Sequence, residues 1–263
     1  MSWRIVSASV VGTSHHARGE PCQDYCVATT WHDSNGAEYL IVLVADGAGS
    51  ARLGKEGAEF ACQEGKRLIE EILDNLSGKC PSREEVIGWI SALRAQIAVH
   101  AASAQVSIRE YACTLLTAVV GPSFGVFSQI GDGGIVASCN GFLQPVLWPY
   151  TGEYANETHF LTDENGLAHL QYVAWATSST DLALFSDGLQ RLALVYESRT
   201  AHAPFFAPML AVMHQATAAS CLVLSEQLAT FLASARVNER TDDDKTLVLA
   251  TYHEEQHELP EIE

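Results

Sequence analysis

Apolar residues recur in short runs along the chain, and each run ends at a cluster of turn-forming residues. Alternating or continuous apolar stretches of this length, rich in β-branched residues, are typical of β-strands. They predict strands over residues 3–11, 25–31, 38–45, 112–120, 124–130, 135–138, 142–147, 181–185 and 246–252. Asn35 and Gly36 form a strong hairpin signal between the second and third strands, so we expect these two strands to pair in antiparallel fashion.

Blocks of helical periodicity separate these strands. Residues 55–76 carry apolar side chains on one face, and Ser82 and Glu85 form a capping box that begins a helix reaching residue 101. Two further apolar helices are expected around 204–218 and 220–235. Helices grouped between antiparallel strands predict sheets covered by helix layers, not a parallel βαβ sheet. Because no linker or repeat interrupts the chain, we expect one domain over residues 1–252 and a flexible acidic tail over 253–263.

The composition limits the classes of partner. Among 263 residues, 32 acidic side chains against 15 basic ones give a net charge of −17 without any basic stripe, which makes nucleic acid an unexpected partner. No apolar run is long enough to cross a membrane. The seven cysteines contain no CxxC pair and no zinc-ligand spacing, and most have apolar neighbours. We therefore expect a cytoplasmic protein with reduced cysteines. We also expect it to be a monomer that does not contact membranes.

Aspartates next to small residues mark the ends of several predicted strands. Asp24 begins the second strand and Asp46 ends the third, so antiparallel pairing brings these two carboxylates together. The same arrangement recurs at Asp132, Asp187 and Asp243. Carboxylates that converge in this way need cations to offset their repulsion, and oxygen ligands without His or Cys favour Mg²⁺ or Mn²⁺. Two such ions, about 3.5–4 Å apart, can hold and activate a water for attack on phosphorus, which predicts a phosphohydrolase.

The chain resembles the metal-dependent protein serine/threonine phosphatases of the protein phosphatase 2C family, and in particular the bacterial branch. The matching motifs follow the order of the family from residue 12 to residue 249: GEPCQD with Asp24, VADGAGS with Asp46, CTLLTAV from Cys113, QIGDGG with Asp132, LFSDGL with Asp187, and DDKT from Asp243. No single motif is specific, but the set is.

The resemblance implies a fold, a reaction and a role for each aspartate. The fold would be an α+β four-layer α-β-β-α sandwich, in which two central antiparallel sheets are flanked by helices. The reaction would be hydrolysis of phosphoserine and phosphothreonine in proteins, the products of a serine/threonine kinase, by a water that bridges two Mn²⁺ or Mg²⁺ ions. The metal ligands would be Asp46, which bridges both ions, the Gly47 carbonyl, Asp187 and Asp243, with Asp132 at a weaker third ion. The catalytic residues would be Asp46, Asp187 and Asp24, the last bound to metal-held water.

Several positions depart from the family pattern. Many relatives carry an arginine for the substrate phosphate where this chain has Gly19, so we expect the adjacent Arg18 to bind the phosphate, with Arg52 as a weaker candidate. Ala48 replaces a histidine proposed as a general acid in animal members. Leaving-group protonation must then come from metal-bound water, His15 or His16, unless these histidines are ordinary exposed polar residues. Which of the three aspartates at 242–244 is the ligand stays open.

Two other interpretations remain. The first keeps the fold and drops the catalysis: a catalytically weak, phosphatase-like regulator that binds a phosphoprotein or another partner. The missing arginine and histidine favour it, whereas the complete set of aspartates opposes it. The second is a structural or interaction protein in which every Asp-Gly pair is only a turn. Cys22, the thiol nearest the predicted site, is interpreted as a small buried spacer and not as a nucleophile.

Overall fold

The computed structural model describes residues 2–139, 141–149 and 158–253. The longer strands are β1 (Ser2–Val10), β2 (Asp24–His32), β3 (Glu38–Asp46), β4 (Leu115–Val120), β5 (Gly125–Ile130), β6 (Gly134–Cys139), β7 (Phe142–Leu147), β8 (Gln171–Trp175), β9 (Asp181–Phe185), then the short pair β10 (Leu194–Val195) and β11 (Thr200–Ala201), and β12 (Lys245–His253). The α-helices are α1 (Thr13–Arg18), α2 (Gly54–Leu76), α3 (Arg83–Ser103), α4 (Gln190–Ala193), α5 (Ala203–Met213), α6 (Cys221–Leu232) and α7 (Ala235–Asn238). Short 3₁₀ helices span Ile108–Tyr111, Gly166–His169, Asp187–Leu189 and Ala218–Ser220.

Ten of the strands form two antiparallel five-stranded sheets. The first sheet has the order β1-β12-β9-β6-β7 and the second has the order β2-β3-β4-β5-β8. Strand β3 shows why the two sheets stack: Ile41 and Leu43 pack with α2 and α3, whereas Leu40 and Val42 pack against the first sheet. A strand that is buried on both faces needs a continuous apolar run, which is what this segment has.

Helices cover the outer face of each sheet. Helices α2 and α3 pack on the second sheet, while α5 and α6 pack on the first through side chains such as Phe206 and Leu228. The layers therefore follow the order α-β-β-α, and the predicted fold class is confirmed. Both strand ends that carry Asp24 and Asp46 lie in the second sheet, whereas β9, which precedes Asp187, lies in the first.

Helix prediction succeeded where local signals were strong. The Ser82 hydroxyl accepts a hydrogen bond from the Glu85 backbone N–H at 3.3 Å, and Glu85 accepts one from the Ser82 N–H at 2.6 Å, so the capping box is present. Helix α1 was not predicted, since its six residues show no apolar period. It is held by tertiary contacts, among them the Ser14 N–H bound to the Asp242 carbonyl at 2.9 Å.

Other boundaries differ from the predicted ones. The strand predicted over 112–120 begins at Leu115, because a 3₁₀ turn ends just before it. The helix predicted over 204–218 ends at Met213, and β8 was not predicted. None of the helices in the described ranges is long and apolar enough to cross a membrane. Strand β12 ends at His253, and residues 254–263 of the predicted tail lie outside the described residues.

Candidate active site

The register of β2 and β3 brings the first two aspartates together. Asp24 is the direct partner of Asp46 across the antiparallel pair, as the sequence predicted. Thr114 holds Asp46 in place, because its hydroxyl accepts the Asp46 N–H at 2.9 Å and its own N–H donates to the Asp46 carbonyl at 2.8 Å. The end of β3 is therefore tied to β2 on one side and to the segment before β4 on the other.

Glycine at position 47 permits a close approach of two backbone segments. The Gly47 N–H donates to the Gln23 carbonyl at 3.1 Å, and the start of α2 lies against the other side. A Cβ at this position would lie 2.4 Å from the Gly54 carbonyl carbon, far inside contact distance. Only glycine lets these two segments approach so closely, which leaves the backbone of residue 47 beside the aspartates.

The first sheet contributes Asp187, which begins a 3₁₀ turn directly after β9. Its Oδ1 is buried and has no hydrogen-bond partner among the described residues. The preceding Ser186 hydroxyl donates to Asp24 Oδ2 at 2.6 Å and accepts the Thr246 N–H at 3.0 Å. This serine therefore links the two sheets at the site, while the other oxygen of Asp24, Oδ1, is buried and has no partner among the residues that the structure describes.

Asp132 lies in the turn between β5 and β6. Its Oδ2 accepts a hydrogen bond from the Thr158 hydroxyl at 2.7 Å, and its carbonyl accepts one from the Gln190 side-chain amide. Gln129 holds the same turn from inside by donating to the carbonyls of Gly131 and Gly133 at 3.0 and 2.9 Å. The turn that carries Asp132 is thus fixed by three side chains from separate segments.

The segment before β12 contains the three aspartates that the sequence left unresolved. Asp244 is buried, and both of its oxygens are used: Oδ1 accepts the Gly12 N–H and Oδ2 accepts the Gln23 N–H, each at 2.6 Å. Asp242 is exposed. Asp243 is half-buried and is the one whose charge acts on both Asp46 and Asp187. Of the three, Asp243 is therefore the best placed to contribute a ligand.

The pKa values of these aspartates reflect how closely their carboxylates approach one another. Burial raises the pKa of Asp46 well above its usual range, and the charges of Asp24, Asp187, Asp243 and Asp132 raise it further. Burial likewise raises the pKa of Asp24 and that of Asp187 to about 7, Asp132 being the largest charge contribution at Asp187. Carboxylates crowded in this way repel one another unless a cation or a proton offsets the charge.

Divalent cations fit this donor set. The side-chain oxygens at its centre are carboxylates, and the buried Oδ1 atoms of Asp24 and Asp187 have no hydrogen-bond partner within residues 2–139, 141–149 and 158–253. Within the ranges that the structure describes, no three His, Cys, Asp or Glu side chains form a complete cluster around one ion. An ion at this site would therefore draw part of its coordination from backbone carbonyls and water, as Mg²⁺ commonly does.

The remaining candidates from the sequence are two arginines and two histidines. The Arg18 side chain is about half exposed, and its Nε donates to Glu20 Oε2 at 2.7 Å. His15 is buried, with Nδ1 2.9 Å from Asp244 Oδ2, so its interpretation as an exposed polar residue is wrong. His16 and Arg52 are exposed.

Cys22 is half-buried, and its thiol donates weakly to the Asp24 carbonyl at 3.8 Å. Burial, reinforced by the nearby charge of Asp24, raises the pKa of this thiol far above its usual range. The side chain therefore stays a neutral thiol at physiological pH and is a poor nucleophile. This agrees with its interpretation as a spacer.

Two residues beside the site were given no role from the sequence. Lys245 is fully buried, and its ammonium donates to Asn238 Oδ1 at 2.9 Å; burial lowers its pKa, and the charge of Asp244 opposes that shift. Tyr196 donates its hydroxyl to the Gln190 side chain; burial raises the pKa of Tyr196, Arg191 opposes the shift, and the charges of Asp132 and Asp187 add to it. Lys245 belongs to the DDKT motif, which marks the segment but not the role of the lysine, and Tyr196 lies in no motif that the sequence offered.

Comparison with known proteins identifies relatives along almost the whole chain. The family described as Protein phosphatase 2C matches residues 11–233. Serine/threonine-protein phosphatase 3 of Escherichia coli is 40% identical over 256 residues, which cover 97% of this chain and 100% of that protein.

Solved structures of bacterial phosphatases share the fold. The serine/threonine phosphatase Stp1 of Staphylococcus aureus has a TM-score of 0.59 at 14% identity, with 97% of this chain and 96% of that chain covered. The catalytic domain of the serine/threonine protein phosphatase PstP, solved in complex with two manganese ions, has a TM-score of 0.59 at 15% identity, with 95% and 97% covered. The predictions of the family and of a protein serine/threonine phosphatase as the enzyme class are confirmed. The chain belongs to the protein phosphatase 2C family.

Proposed function

We propose that this protein hydrolyses phosphoserine and phosphothreonine in proteins, with Mn²⁺ or Mg²⁺ as its cofactor. The observation that carries the proposal is the convergence of aspartates from both sheets, with Asp46 under the influence of four other carboxylates. Such a cluster is unfavourable by itself and becomes favourable around cations. The manganese in the related PstP structure supports the same choice of metal.

Each aspartate has a proposed role. Asp46 would bridge two ions, with the Gly47 carbonyl, Asp187 and Asp243 completing the protein ligands, and Asp132 would hold a weaker third ion. Bound divalent ions supply positive charge and a water activated for in-line attack on phosphorus. The buried Asp24 Oδ1, which no described residue contacts through a hydrogen bond, would accept one from the attacking water. The Ser186 hydroxyl fixes the other oxygen of Asp24 and so orients it.

The substrate phosphate needs positive charge beyond the ions. We propose that Arg18 supplies it, since a guanidinium binds two phosphate oxygens at once. In the structure this side chain pairs with Glu20, so binding a phosphate would require it to leave that partner or share it. Physiological substrates would be phosphoproteins made by a serine/threonine kinase in the cytoplasm, and the protein would act as a monomer.

Hydrolysis of a phosphothreonine peptide tests the proposal. Phosphate release is measured with Mn²⁺, with Mg²⁺ and with a chelator, for the wild type and for Asp46→Asn. Asp74→Asn is the matched control, because Asp74 is exposed on α2 and remote from the cluster. We expect activity that requires metal and is lost in Asp46→Asn alone. Chelator-resistant activity, or full activity in Asp46→Asn, would contradict the mechanism.

The pairing of Arg18 with Glu20 favours a second candidate, a catalytically weak regulator that binds phosphoproteins. The same assay distinguishes the two. A regulator would bind Mn²⁺ and the phosphopeptide, as calorimetry would show, without releasing phosphate. An enzyme would turn the peptide over many times.

A further inference from the structure

An apolar groove lies between α5 and α6 on the outer face of the first sheet, with a volume of about 930 Å³. Val6 and Leu249 form its floor, and Phe205, Met209 and Phe231 contribute to its walls. A cavity of this size with mostly apolar walls is typical of a binding site for a peptide segment or a small ligand. The groove is separate from the aspartate cluster, which lies at the strand ends.

Three arginines line one end of this groove. Arg191, Arg236 and Arg240 are exposed, and among the described residues none of them forms an ion pair. Glu239 is the acidic residue of the lining. Guanidinium groups that no described carboxylate pairs with, gathered in a chain of net charge −17, favour an occupant that carries negative charge beside its apolar groups.

The direction of the groove follows from its helices. Helix α5 begins beside Arg191, since the His202 ring nitrogen lies 2.8 Å from the Leu192 carbonyl. Arg236 lies in α7, which contacts the first residue of β12 through the bond between Asn238 and Lys245. The arginines therefore lie at the end of the groove where α5 and β12 begin. Helix α5 has 11 residues, so the groove beside it is about 16 Å long.

The described chain ends at the opposite end of the same groove. Strand β12 finishes at His253, whose ring centroid lies 6.3 Å from that of His214, the residue that caps the C-terminus of α5. From there the arginine end lies about 16 Å away when measured along α5 and about 26 Å away when measured along β12. Residues 254–263 can span about 33 Å when extended, so they can reach the arginines.

The composition of residues 254–263 matches this groove. The segment EEQHELPEIE contains five glutamates, and its second half alternates them with Leu259, Pro260 and Ile262. We propose that this segment binds in the groove, with Leu259 and Ile262 against the apolar walls and the neighbouring glutamates facing the three arginines. Exposed ion pairs are individually weak, but the segment is tethered at the groove, which gives it an effective concentration in the millimolar range.

Methionine methyl groups offer a direct probe of occupancy in the full chain. The chain has three methionines, and two of them, Met209 and Met213, line the groove. In protein labelled with ¹³C at the methionine methyls, these two signals are assigned with Met209→Leu and Met213→Leu. We expect both signals to move in Leu259→Ser/Ile262→Ser, because the apolar side chains of the segment would leave them.

Charge reversal tests the arginines. Arg236→Glu/Arg240→Glu should move the two methyl signals in the same direction as the tail variant, and adding Glu258→Lys/Glu261→Lys should return them toward their wild-type positions. Arg83→Glu is the matched control, since Arg83 is exposed at the start of α3 on the opposite helix layer. It should leave both signals unchanged. Circular dichroism verifies that each variant is folded.

Three results would overturn the proposal. Methyl signals that stay unchanged in the Leu259/Ile262 variant would show that the segment does not occupy the groove. Shifts that arise from the arginine reversals but are not restored by the lysines would indicate a different anionic occupant. A dependence of the wild-type signals on protein concentration would indicate docking between two copies of the chain. None of these readouts depends on phosphatase activity.

Discussion

The aspartates at the candidate site fall into two groups that differ in the hydrogen-bond partners of their oxygens. Asp24 and Asp187 each keep one buried oxygen that has no hydrogen-bond partner in the described part of the chain. Asp244 has both oxygens bound, by the N–H groups of Gly12 and Gln23, with His15 beside them. All three are buried or largely buried, so burial alone does not distinguish them.

The difference separates two uses of a buried carboxylate. A carboxylate whose oxygens both accept hydrogen bonds has a structural role. Asp244 connects the start of β12 to the residues that precede α1 and β2. A carboxylate with unsatisfied oxygens is costly unless something absent from the polypeptide satisfies it. The identity of the amino acid is the same in both cases, and only the hydrogen-bond partners reveal the role.

The largest expected effect is on catalysis. Asp46→Asn removes the charge that would bridge two ions, and because bound metal supplies several kcal/mol of transition-state stabilisation, kcat/KM should fall on the order of 10³-fold. Calorimetry should show that Mn²⁺ binding is weakened together with activity. Normal Mn²⁺ affinity in this variant would mean that Asp46 is not a shared ligand.

Asp243 and Asp244 should respond in opposite ways. Asp244→Asn leaves a buried N–H facing an amide in place of a carboxylate, which should cost about 2–4 kcal/mol of unfolding free energy and lower Tm by roughly 5–10 °C. Asp243→Asn should leave the Tm of metal-free protein nearly unchanged or raise it, and should weaken Mn²⁺ binding. Thermal melts with and without Mn²⁺ compare the two variants. The assignment of Asp243 as the ligand fails if the pattern is reversed.

The unsatisfied set should also make the metal-free protein sensitive to pH. The pKa of Asp24 and that of Asp187 are raised from 3.8 to about 7, so the folded state binds more protons than the unfolded state between these values. This contribution to stability is fully present below about pH 4 and is lost as pH rises through about 7. With chelator present, Tm should therefore lose this contribution between about pH 4 and 7, and Asp187→Asn should make the decline less steep. Saturating Mn²⁺ should offset the loss, since the ion binds the deprotonated carboxylates.

The smallest effect is expected at the arginines. Arg18→Ala should raise KM for a phosphothreonine peptide by no more than about 5-fold, since an exposed charge contributes little, and Mn²⁺ affinity should not change. Arg52→Ala, measured alongside, is expected to match the wild type. A larger effect at Arg52 than at Arg18 would move the phosphate contact to the loop after Asp46. Wild-type kinetics in both variants would mean that the metal ions bind the substrate phosphate without help from either arginine.

Local sequence signals predicted regular secondary structure and the proximity of two of the aspartates. The capping box at Ser82 predicted the start of α3, and the hairpin signal at Asn35 predicted the pairing that sets Asp24 opposite Asp46. Helix α1 was missed, because its six residues are held by contacts with Asp242 and Asp244 that lie more than 200 positions away. A contact of that range has no counterpart in a local pattern.

The sequence by itself determined the alternation of strands and helices, the aspartates at strand ends and the family to which the chain belongs. These properties depend on residue type and spacing, which are local. Only the tertiary structure distinguished Asp243 from Asp244. It also showed that His15 is buried beside Asp244 and that Arg18 pairs with Glu20. Each of these depends on which donors from other segments reach a given oxygen, and that is decided by packing, because two sheets must stack before their loops can meet.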